Sequence, residues 1–333
     1  MIKFKAVAIA AGFAAAGAFA TSTASADELS LAYFMGPKHP MNKGVMTPFG
    51  EKLAELSGGK MTVKQFPGGA LNKVPPKQYS ILLNGVADIV FALPGFTADV
   101  FPKTNVIGMP GVCSSAITCT AALQRVRGEI EQEYNAKVIA IWSNAPPVLI
   151  TKDKPVRTLE DLQGLKLRVT SKASVPIVEA LGATAVAQPI TVVNQNLANG
   201  VIDGILVDPS AIGSFKLHEP ANYVTTWFPG SGSAFVLLMN KDVYNGLTDE
   251  EKGWVNAASR TELSTGAGSA YQKSSERGFK IAADAGNEMI EVSAAEKARW
   301  QAKIDTVMAE ISSQPVGDST IGQMIAKMTG KGS

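Results

Sequence analysis

Hydrophobic and polar residues alternate in short runs over most of the chain, and these runs predict strands separated by helices. Leu29, Leu31 and Tyr33 share one face of a first strand, because successive side chains of a strand point to opposite faces. A helix is predicted to begin at Thr47-Pro48 and to end at Gly58-Gly59. Such alternation is typical of an α/β chain with parallel strand pairs. The other predicted elements are a helix from Pro75 to Asn84 and strands at 61–63, 88–92, 138–142, 165–169, 203–207 and 234–239.

A short motif occurs twice, as Asn84-Gly85-Val86-Ala87-Asp88 and as Asn199-Gly200-Val201-Ile202-Asp203. Each copy lies where a predicted helix ends and a strand begins, a position that glycine favours in any protein. Two copies in separate halves also fit a protein of two similar lobes. We predict a first lobe over roughly residues 27–150 and a second over roughly 151–240.

The C-terminal part of the chain predicts long helices that are shared between the two lobes. Thr248 with Glu251, and Ser293 with Glu296, have the spacing of capping boxes at helix starts. We interpret these helices as scaffolding and assign them no chemistry.

The N-terminus has the pattern of a secretory signal peptide. Lys3 and Lys5 precede an apolar run from Ala6 to Ala20, and Ala24-Ser25-Ala26 offers small residues at the cleavage site. The run is too short to span a membrane. We therefore predict a signal peptide over residues 1–26, cleavage after Ala26, and a soluble periplasmic protein formed by residues 27–333.

Removal of Lys3 and Lys5 leaves 29 basic side chains against 29 acidic ones. A neutral exported protein has no electrostatic basis for binding nucleic acid or an anionic membrane surface. Cys113 and Cys119 are the two cysteines, and an oxidising compartment favours a disulfide between them. A metal site is the weaker alternative, because neither His39 nor His218 lies near them in sequence.

Arg168 lies at the end of the apolar run Gly164-Leu165-Lys166-Leu167-Arg168-Val169. The run follows a predicted helix start, where Thr158 and Asp161 have capping-box spacing. A guanidinium can bind a carboxylate with two parallel hydrogen bonds, which lysine cannot do. The pattern alone leaves two interpretations open: a ligand clamp, or a surface arginine that pairs with a neighbouring acid.

The sequence motifs of common enzymes are missing from this chain. It has no nucleophile elbow, zinc-protease motif, phosphate loop or dinucleotide fingerprint. We interpret His39 as a loop or lobe-interface residue, and Asp203 with Asp208 as weak evidence for acid–base chemistry. We expect no cofactor, no metal and no enzymatic activity.

Four segments resemble, in order, the solute-binding proteins of tripartite ATP-independent periplasmic (TRAP) transporters. They are Gly58-Gly59-Lys60 with Phe66-Pro67-Gly68-Gly69-Ala70-Leu71, the two repeated motifs, and the block from Thr158 to Val169. The resemblance implies two α/β lobes, a ligand cleft between them, long helices that span both, and closure on an organic acid. It also implies that Arg168 pairs with the ligand carboxylate and that the membrane subunits of a transporter are partners. We expect a monomer.

The predicted cleft has one anion clamp and mostly apolar walls. A sugar would leave buried hydroxyls unpaired there, at about 1–3 kcal/mol for each group, so we predict an apolar or aromatic monocarboxylate. A 2-oxo or hydroxy acid is the nearest alternative ligand, and a ligand-sensing module or a periplasmic enzyme are alternative functions. The predicted wall residues are Met35, Leu93, Trp142, Val148, Thr170, Ile190, Val207, Asp208, Phe215 and Trp227.

Overall fold

The computed structural model describes residues 27–331, so the predicted signal peptide lies outside the described residues. Within that range no helix combines the length and the apolar character that crossing a membrane would require. The strands are β1 (Asp27–Ala32), β2 (Met61–Phe66), β3 (Ile89–Ala92), β4 (Ala136–Ser143), β5 (Val148–Thr151), β6 (Lys166–Val169), β7 (Thr184–Ala187), β8 (Gly204–Val207), β9 (Tyr223–Thr225), β10 (Ala234–Asn240), β11 (Glu288–Ile290), β12 (Pro315–Val316) and β13 (Ser319–Thr320).

Helices separate most of the strands. The α-helices are α1 (Thr47–Leu56), α2 (Gln78–Leu83), α3 (Pro102–Asn105), α4 (Ala116–Arg125), α5 (Arg127–Ile130), α6 (Val175–Ala180), α7 (Val193–Ala198), α8 (Ser210–Ser214), α9 (Lys241–Gly246), α10 (Asp249–Ala258), α11 (Thr261–Asp284), α12 (Ala294–Ile311) and α13 (Ile321–Thr329). A π-helical turn covers Asn42–Met46, and short 3-10 turns cover Pro75–Lys77, Pro94–Thr97, Val106–Gly108, Glu131–Glu133, Leu159–Leu162, Lys172–Ser174 and Ile190–Val192.

Two main sheets form the cores of two lobes. The first sheet has the strand order β2-β1-β3-β10-β4, and the second has the order β11-β9-β5-β8-β6-β7. Strand β1 runs parallel to β2 and β3, and β6 runs parallel to β7 and β8. The α/β class with parallel pairs is therefore confirmed.

Strand β10 lies in the first sheet, where it pairs antiparallel with β3 and β4. The predicted second lobe extended to about residue 240 and therefore included β10. In the structure the chain has already returned to the first sheet at β10, earlier than we predicted. The chain passes from the first sheet to the second between β4 and β5, and it returns between β9 and β10. This return cannot be inferred from a local pattern, because β10 has the apolar character of any fully buried strand.

The repeated motif forms the same local structure in both lobes. Helix α2 ends at Leu83 and α7 ends at Ala198, and each is followed by a glycine with positive φ, 67° at Gly85 and 69° at Gly200. Each copy then leads into a central strand of its sheet, β3 or β8. A left-handed residue of this kind reverses the chain after a helix, which explains the glycine in both copies.

Helix α11 crosses from one lobe to the other. It contacts α4 and β4 on the first lobe and α8 and β11 on the second. Thr248 begins α10 with a complete capping box, and its side chain accepts from the Glu251 N–H. Ser293 begins α12 and accepts from the Glu296 N–H, but the Glu296 carboxylate accepts from the Leu159 N–H and does not complete the predicted box. Helices α10 and α12 thus have the predicted starts, whereas the longest helix, α11, begins at Thr261, where we predicted none.

A disulfide joins Cys113 to Cys119, with their Cα atoms 5.0 Å apart. It closes the loop that precedes α4, and the predicted pairing is confirmed. The backbone N–H of Cys113 donates to the Ser231 hydroxyl at 3.2 Å, so this loop also contacts the segment that returns from the second lobe.

Candidate functional site

A cavity that is partly open to solvent lies where the two sheets face each other. Strands β1, β3 and β4 of the first sheet and β6 and β8 of the second all end at it. Loops at the carboxyl ends of parallel strands commonly form the ligand sites of α/β proteins. The lining residues are Phe34, Met35, His39, Phe91, Leu93, Phe96, Asn144, Arg168, Thr170, Ile190, Val207, Asp208, Ser210, Ala211, Phe215, Ser233, Phe235 and Tyr271.

The Arg168 side chain is only 1 % exposed and lies at the end of β6. Its Nε donates to the Gln188 carbonyl at 2.9 Å, and Nη1 donates to the Thr170 hydroxyl at 3.1 Å and to the Leu206 carbonyl at 3.3 Å. Burial lowers the pKa of Arg168 to about 9, an effect that the nearby Asp208 carboxylate partly offsets. The backbone therefore fixes the guanidinium on one edge, and Nη2 makes no hydrogen bond with any residue from 27 to 331.

Asp208 is the second buried charged side chain of the cavity and follows β8 directly. Its Oδ1 accepts hydrogen bonds from the backbone N–H and the hydroxyl of Ser210, and its Oδ2 accepts from the Asn144 amide at 2.7 Å. Burial raises the pKa of Asp208, and these hydrogen bonds counteract part of that rise. Although Arg168 and Asp208 influence each other electrostatically, no hydrogen bond joins them within the described part of the chain.

Aromatic rings form most of the first-lobe wall. The Phe91 ring lies 5.8 Å from Phe34 and 5.5 Å from Phe235, measured between centroids. The Phe235 ring lies 4.9 Å from Tyr271 of α11. Rings at these separations prefer edge-to-face or offset contacts, and a further ring can join such a cluster with favourable geometry.

His39 lies at the edge of the cavity, beside Phe215 and Tyr271, with centroids 6.1 and 6.3 Å away. Burial lowers its pKa to about 4, so the ring is neutral near pH 7. Its Nδ1 accepts a hydrogen bond from the Met41 N–H at 3.3 Å, which places the ring proton on Nε2. His39 is thus at the lobe interface, as we interpreted it from the sequence.

Eight of the predicted site residues come together in this cavity. Arg168 and Thr170 come from β6 and the loop after it, and Val207 and Asp208 come from the end of β8. The others are Met35, Leu93, Ile190 and Phe215.

Trp142, Val148 and Trp227 do not line the cavity. Trp142 is fully buried because Phe91 and Phe235 cover it, at centroid distances of 5.9 and 6.2 Å. Val148 belongs to β5, which lies on the far side of β8 from β6. Trp227 packs against Trp300, 5.7 Å away, and with Val148 it lines a separate surface depression.

Several lining residues escaped the sequence analysis. Asn144 follows Trp142 by two residues, so the alternation of side chains along a strand places both on the same face of the sheet. Asn144 lies just beyond the end of β4, nearer to the cavity. Tyr271 comes from α11, one of the helices that we interpreted as scaffolding, and it lines the cavity. The remaining ones are Phe34, Phe91, Phe96, Ser210, Ala211, Ser233 and Phe235. Phe34 and Asn144 lie just past the ends of strands, and this position could have identified them as lining residues from the sequence.

The buried Arg168 guanidinium suits the binding of an anion. Across residues 27–331, no three or more His, Cys, Asp and Glu side chains are grouped so as to hold a metal ion. The cavity combines a buried arginine that has a free edge with a wall of aromatic rings and several polar side chains.

Comparisons with known proteins agree with this architecture. The sequence profile of bacterial extracellular solute-binding protein family 7 (DctP) matches residues 31–314. The C4-dicarboxylate-binding periplasmic protein DctP of Rhodobacter capsulatus is 24 % identical over 304 residues, which cover 90 % of each chain.

Two solved structures share the fold. One is a TRAP solute-binding protein from a marine metagenome, specific for aromatic acid ligands and bound to metahydroxyphenylacetate; it is 28 % identical, with a TM-score of 0.85 over 92 % of this chain and 98 % of its own. The other is a sugar-acid-binding protein of Advenella mimigardefordensis in complex with galactonate, 21 % identical, with a TM-score of 0.82 over 92 % and 99 % of the two chains. The fold therefore accommodates different acids.

Proteins of this family bind small organic acids outside the cytoplasm, work with the membrane subunits of a transporter, and are not enzymes. The profile match covers most of the chain, and the fold and cavity agree with it. The chain belongs to bacterial extracellular solute-binding protein family 7, the solute-binding proteins of TRAP transporters.

Proposed function

We propose that this protein captures an aromatic monocarboxylate in the periplasm and delivers it to the membrane subunits of a TRAP transporter. The observation that carries the proposal is the combination of Arg168, buried with one free edge, and a wall of aromatic rings around the same cavity. We further propose that the protein acts as a monomer after cleavage of residues 1–26.

The ligand carboxylate is assigned to Arg168. Three backbone and side-chain acceptors hold its Nε and Nη1 in place, which fixes the orientation of Nη2 before any ligand arrives. A preorganised donor loses little entropy on binding, so its charge-assisted hydrogen bond contributes more of its strength to affinity.

The ring of the ligand is assigned to the wall formed by Phe34, Phe91, Phe235 and Tyr271. Contacts between aromatic rings add about 0.5–1.5 kcal/mol beyond the burial of their area. The same wall offers few partners for the hydroxyls of a sugar acid, and unpaired buried hydroxyls are costly. The marine metagenome relative, at 28 % identity, has also been solved with 3-hydroxybenzoate, which supports an aromatic acid here.

A 2-oxo or 2-hydroxy acid is the second candidate ligand, and Thr170 is the observation that favours it. Its hydroxyl oxygen accepts from Arg168 Nη1, which leaves the hydroxyl proton free to donate. An oxygen on the carbon next to the carboxylate would lie within reach of that donor.

Calorimetry on ligand-free protein tests the proposal. The panel contains benzoate, phenylacetate, 2-oxo acids, C4-dicarboxylates and sugar acids, and refolding from denaturant removes any ligand retained during purification. We expect the tightest binding for an aromatic monocarboxylate. Tight binding of a sugar acid or succinate, with none for aromatic acids, would contradict it.

A further inference from the structure

We propose that Tyr271 and Asp208 form a second polar subsite, which selects an aromatic acid that carries a hydroxyl on its ring. The inference rests on the proposed function, because the subsite acts on a ring whose carboxylate is held by Arg168. It names the substrate class more narrowly as a hydroxylated aromatic acid.

The Tyr271 hydroxyl has no partner. The residue is only 2 % exposed and lines the cavity, yet its hydroxyl makes no hydrogen bond with any residue between 27 and 331. The hydroxyls of Tyr33, Tyr79 and Tyr134 all make hydrogen bonds, to Gln65, the Asn135 N–H and Thr104 respectively. Because buried tyrosine hydroxyls are normally paired, an unpaired one facing a cavity marks a contact that a ligand completes.

Asp208 has one acceptor position to spare. Ser210 takes both positions of Oδ1 through its N–H and its hydroxyl, whereas Oδ2 accepts only the Asn144 amide. A carboxylate oxygen can accept two hydrogen bonds. The Asp208 side chain is 7 % exposed and lines the same cavity as Tyr271, so a ligand can reach the remaining position.

Both groups line the same cavity, and no hydrogen bond joins them across residues 27–331. The charge of Asp208 also contributes to the raised pKa of Tyr271, after the larger effect of burial. Had the hydroxyl reached the carboxylate, a short charge-assisted hydrogen bond would satisfy both. Both groups therefore remain available to a ligand that occupies this cavity.

A hydroxyl group meets both requirements. It donates its proton to Asp208 Oδ2 and accepts the proton of Tyr271. A methoxy group cannot donate, and a second carboxylate would be repelled by the buried charge of Asp208. The subsite thus favours a ring hydroxyl and disfavours both bare rings and dicarboxylates.

Isothermal calorimetry with benzoate, 3-hydroxybenzoate, 4-hydroxybenzoate and 3-methoxybenzoate tests the proposal. For the wild-type protein we expect at least one hydroxybenzoate to bind about tenfold or more tightly than benzoate, as a hydrogen bond to a charged acceptor allows. The methoxy analogue should gain nothing over benzoate. In Tyr271→Phe the preference for a hydroxybenzoate over benzoate should fall to about threefold or less.

Tyr134→Phe is the matched control, because that hydroxyl bonds to Thr104 outside the cavity, and the preference should survive in it. Asp208→Asn gives a second test should Tyr271→Phe misfold, and it should also reduce the preference. Equal binding of benzoate and both hydroxybenzoates by the wild type, or an undiminished preference in Tyr271→Phe, would overturn the subsite and leave the proposed function intact. Absence of binding by every aromatic acid would overturn both.

Discussion

The side-chain amide of Asn144 donates a 2.7 Å hydrogen bond to Asp208, and this contact joins the end of β4 in one lobe to the end of β8 in the other. The side-chain oxygen Oδ1 of Asn144 in turn accepts from the Ser233 N–H at 2.7 Å. The first lobe therefore holds the Asn144 side chain in a fixed orientation, and the second lobe supplies its charged acceptor. Because the bond joins the two lobes, we expect it to stabilise a closed arrangement of them.

We predict that Asn144→Ala weakens ligand binding by about tenfold, because the closed state loses a hydrogen bond to a buried carboxylate. Calorimetry with the tightest acid of the panel measures the effect. Solution scattering should show the radius of gyration decreasing when ligand is added to the wild type, and a smaller decrease at the same ligand concentration for the variant.

Asn222→Ala is the control for this experiment. The Asn222 amide donates to the Lys152 carbonyl at 2.6 Å, and both residues belong to the second lobe. Its affinity should match the wild type. Equal affinities for all three proteins would show that the Asn144–Asp208 contact makes no contribution to closure.

The stability of the ligand-free protein should fall as the pH is lowered from about 6.5 toward 4, partly because of His39. Its pKa is lowered to about 4 by burial, whereas an unfolded histidine titrates near 6.5. The unfolded state therefore takes up the proton first, and the stabilisation present above pH 6.5 is lost as the pH falls toward the folded pKa. The loss amounts to about 3 kcal/mol at most.

Asp208 acts in the opposite direction. Burial raises its pKa, so the cost of its buried charge is present at neutral pH and is relieved when it is protonated on acidification. Comparison with His39→Gln isolates the histidine: denaturant unfolding of that variant should depend less on pH between 6.5 and 4. His218→Gln, outside the cavity, serves as control. If the free energy of unfolding depends on pH in the same way for the wild type and for His39→Gln, His39 does not cause the loss of stability below pH 6.5.

The sequence predicted the cavity residues at the ends of strands, but it did not predict the aromatic residues that form the cavity wall. Arg168, Thr170 and Asp208 lie at or just after the ends of short apolar strands, where an apolar run meets polar residues. Phe91 and Phe235 lie inside fully buried strands, whose uniform apolar character gives no clue to which face borders a cavity. Tyr271 reaches the site only because α11 crosses both lobes, a tertiary relationship that helix periodicity does not record.

Reduction of the Cys113–Cys119 disulfide should lower the free energy of unfolding by about 2 kcal/mol, the low end expected for a short closed loop. Denaturant unfolding of the oxidised protein and of a Cys113→Ser/Cys119→Ser variant measures it. Intact mass with and without reductant should differ by two hydrogens. Free thiols in protein purified from the periplasm would contradict the disulfide.

The assignment of the ligand carboxylate to Arg168 is tested most directly by calorimetry on Arg168→Ala and Arg168→Lys. Thermal melting of each ligand-free variant first establishes that it is folded, since the wild-type guanidinium also bonds to the carbonyls of Gln188 and Leu206. Removal of one partner from a buried charge pair costs about 2–5 kcal/mol. We therefore predict that the affinity of folded Arg168→Ala for the cognate acid falls by well over tenfold, and that lysine restores only part of it. A folded Arg168→Ala protein that binds the acid as tightly as the wild type would contradict the account.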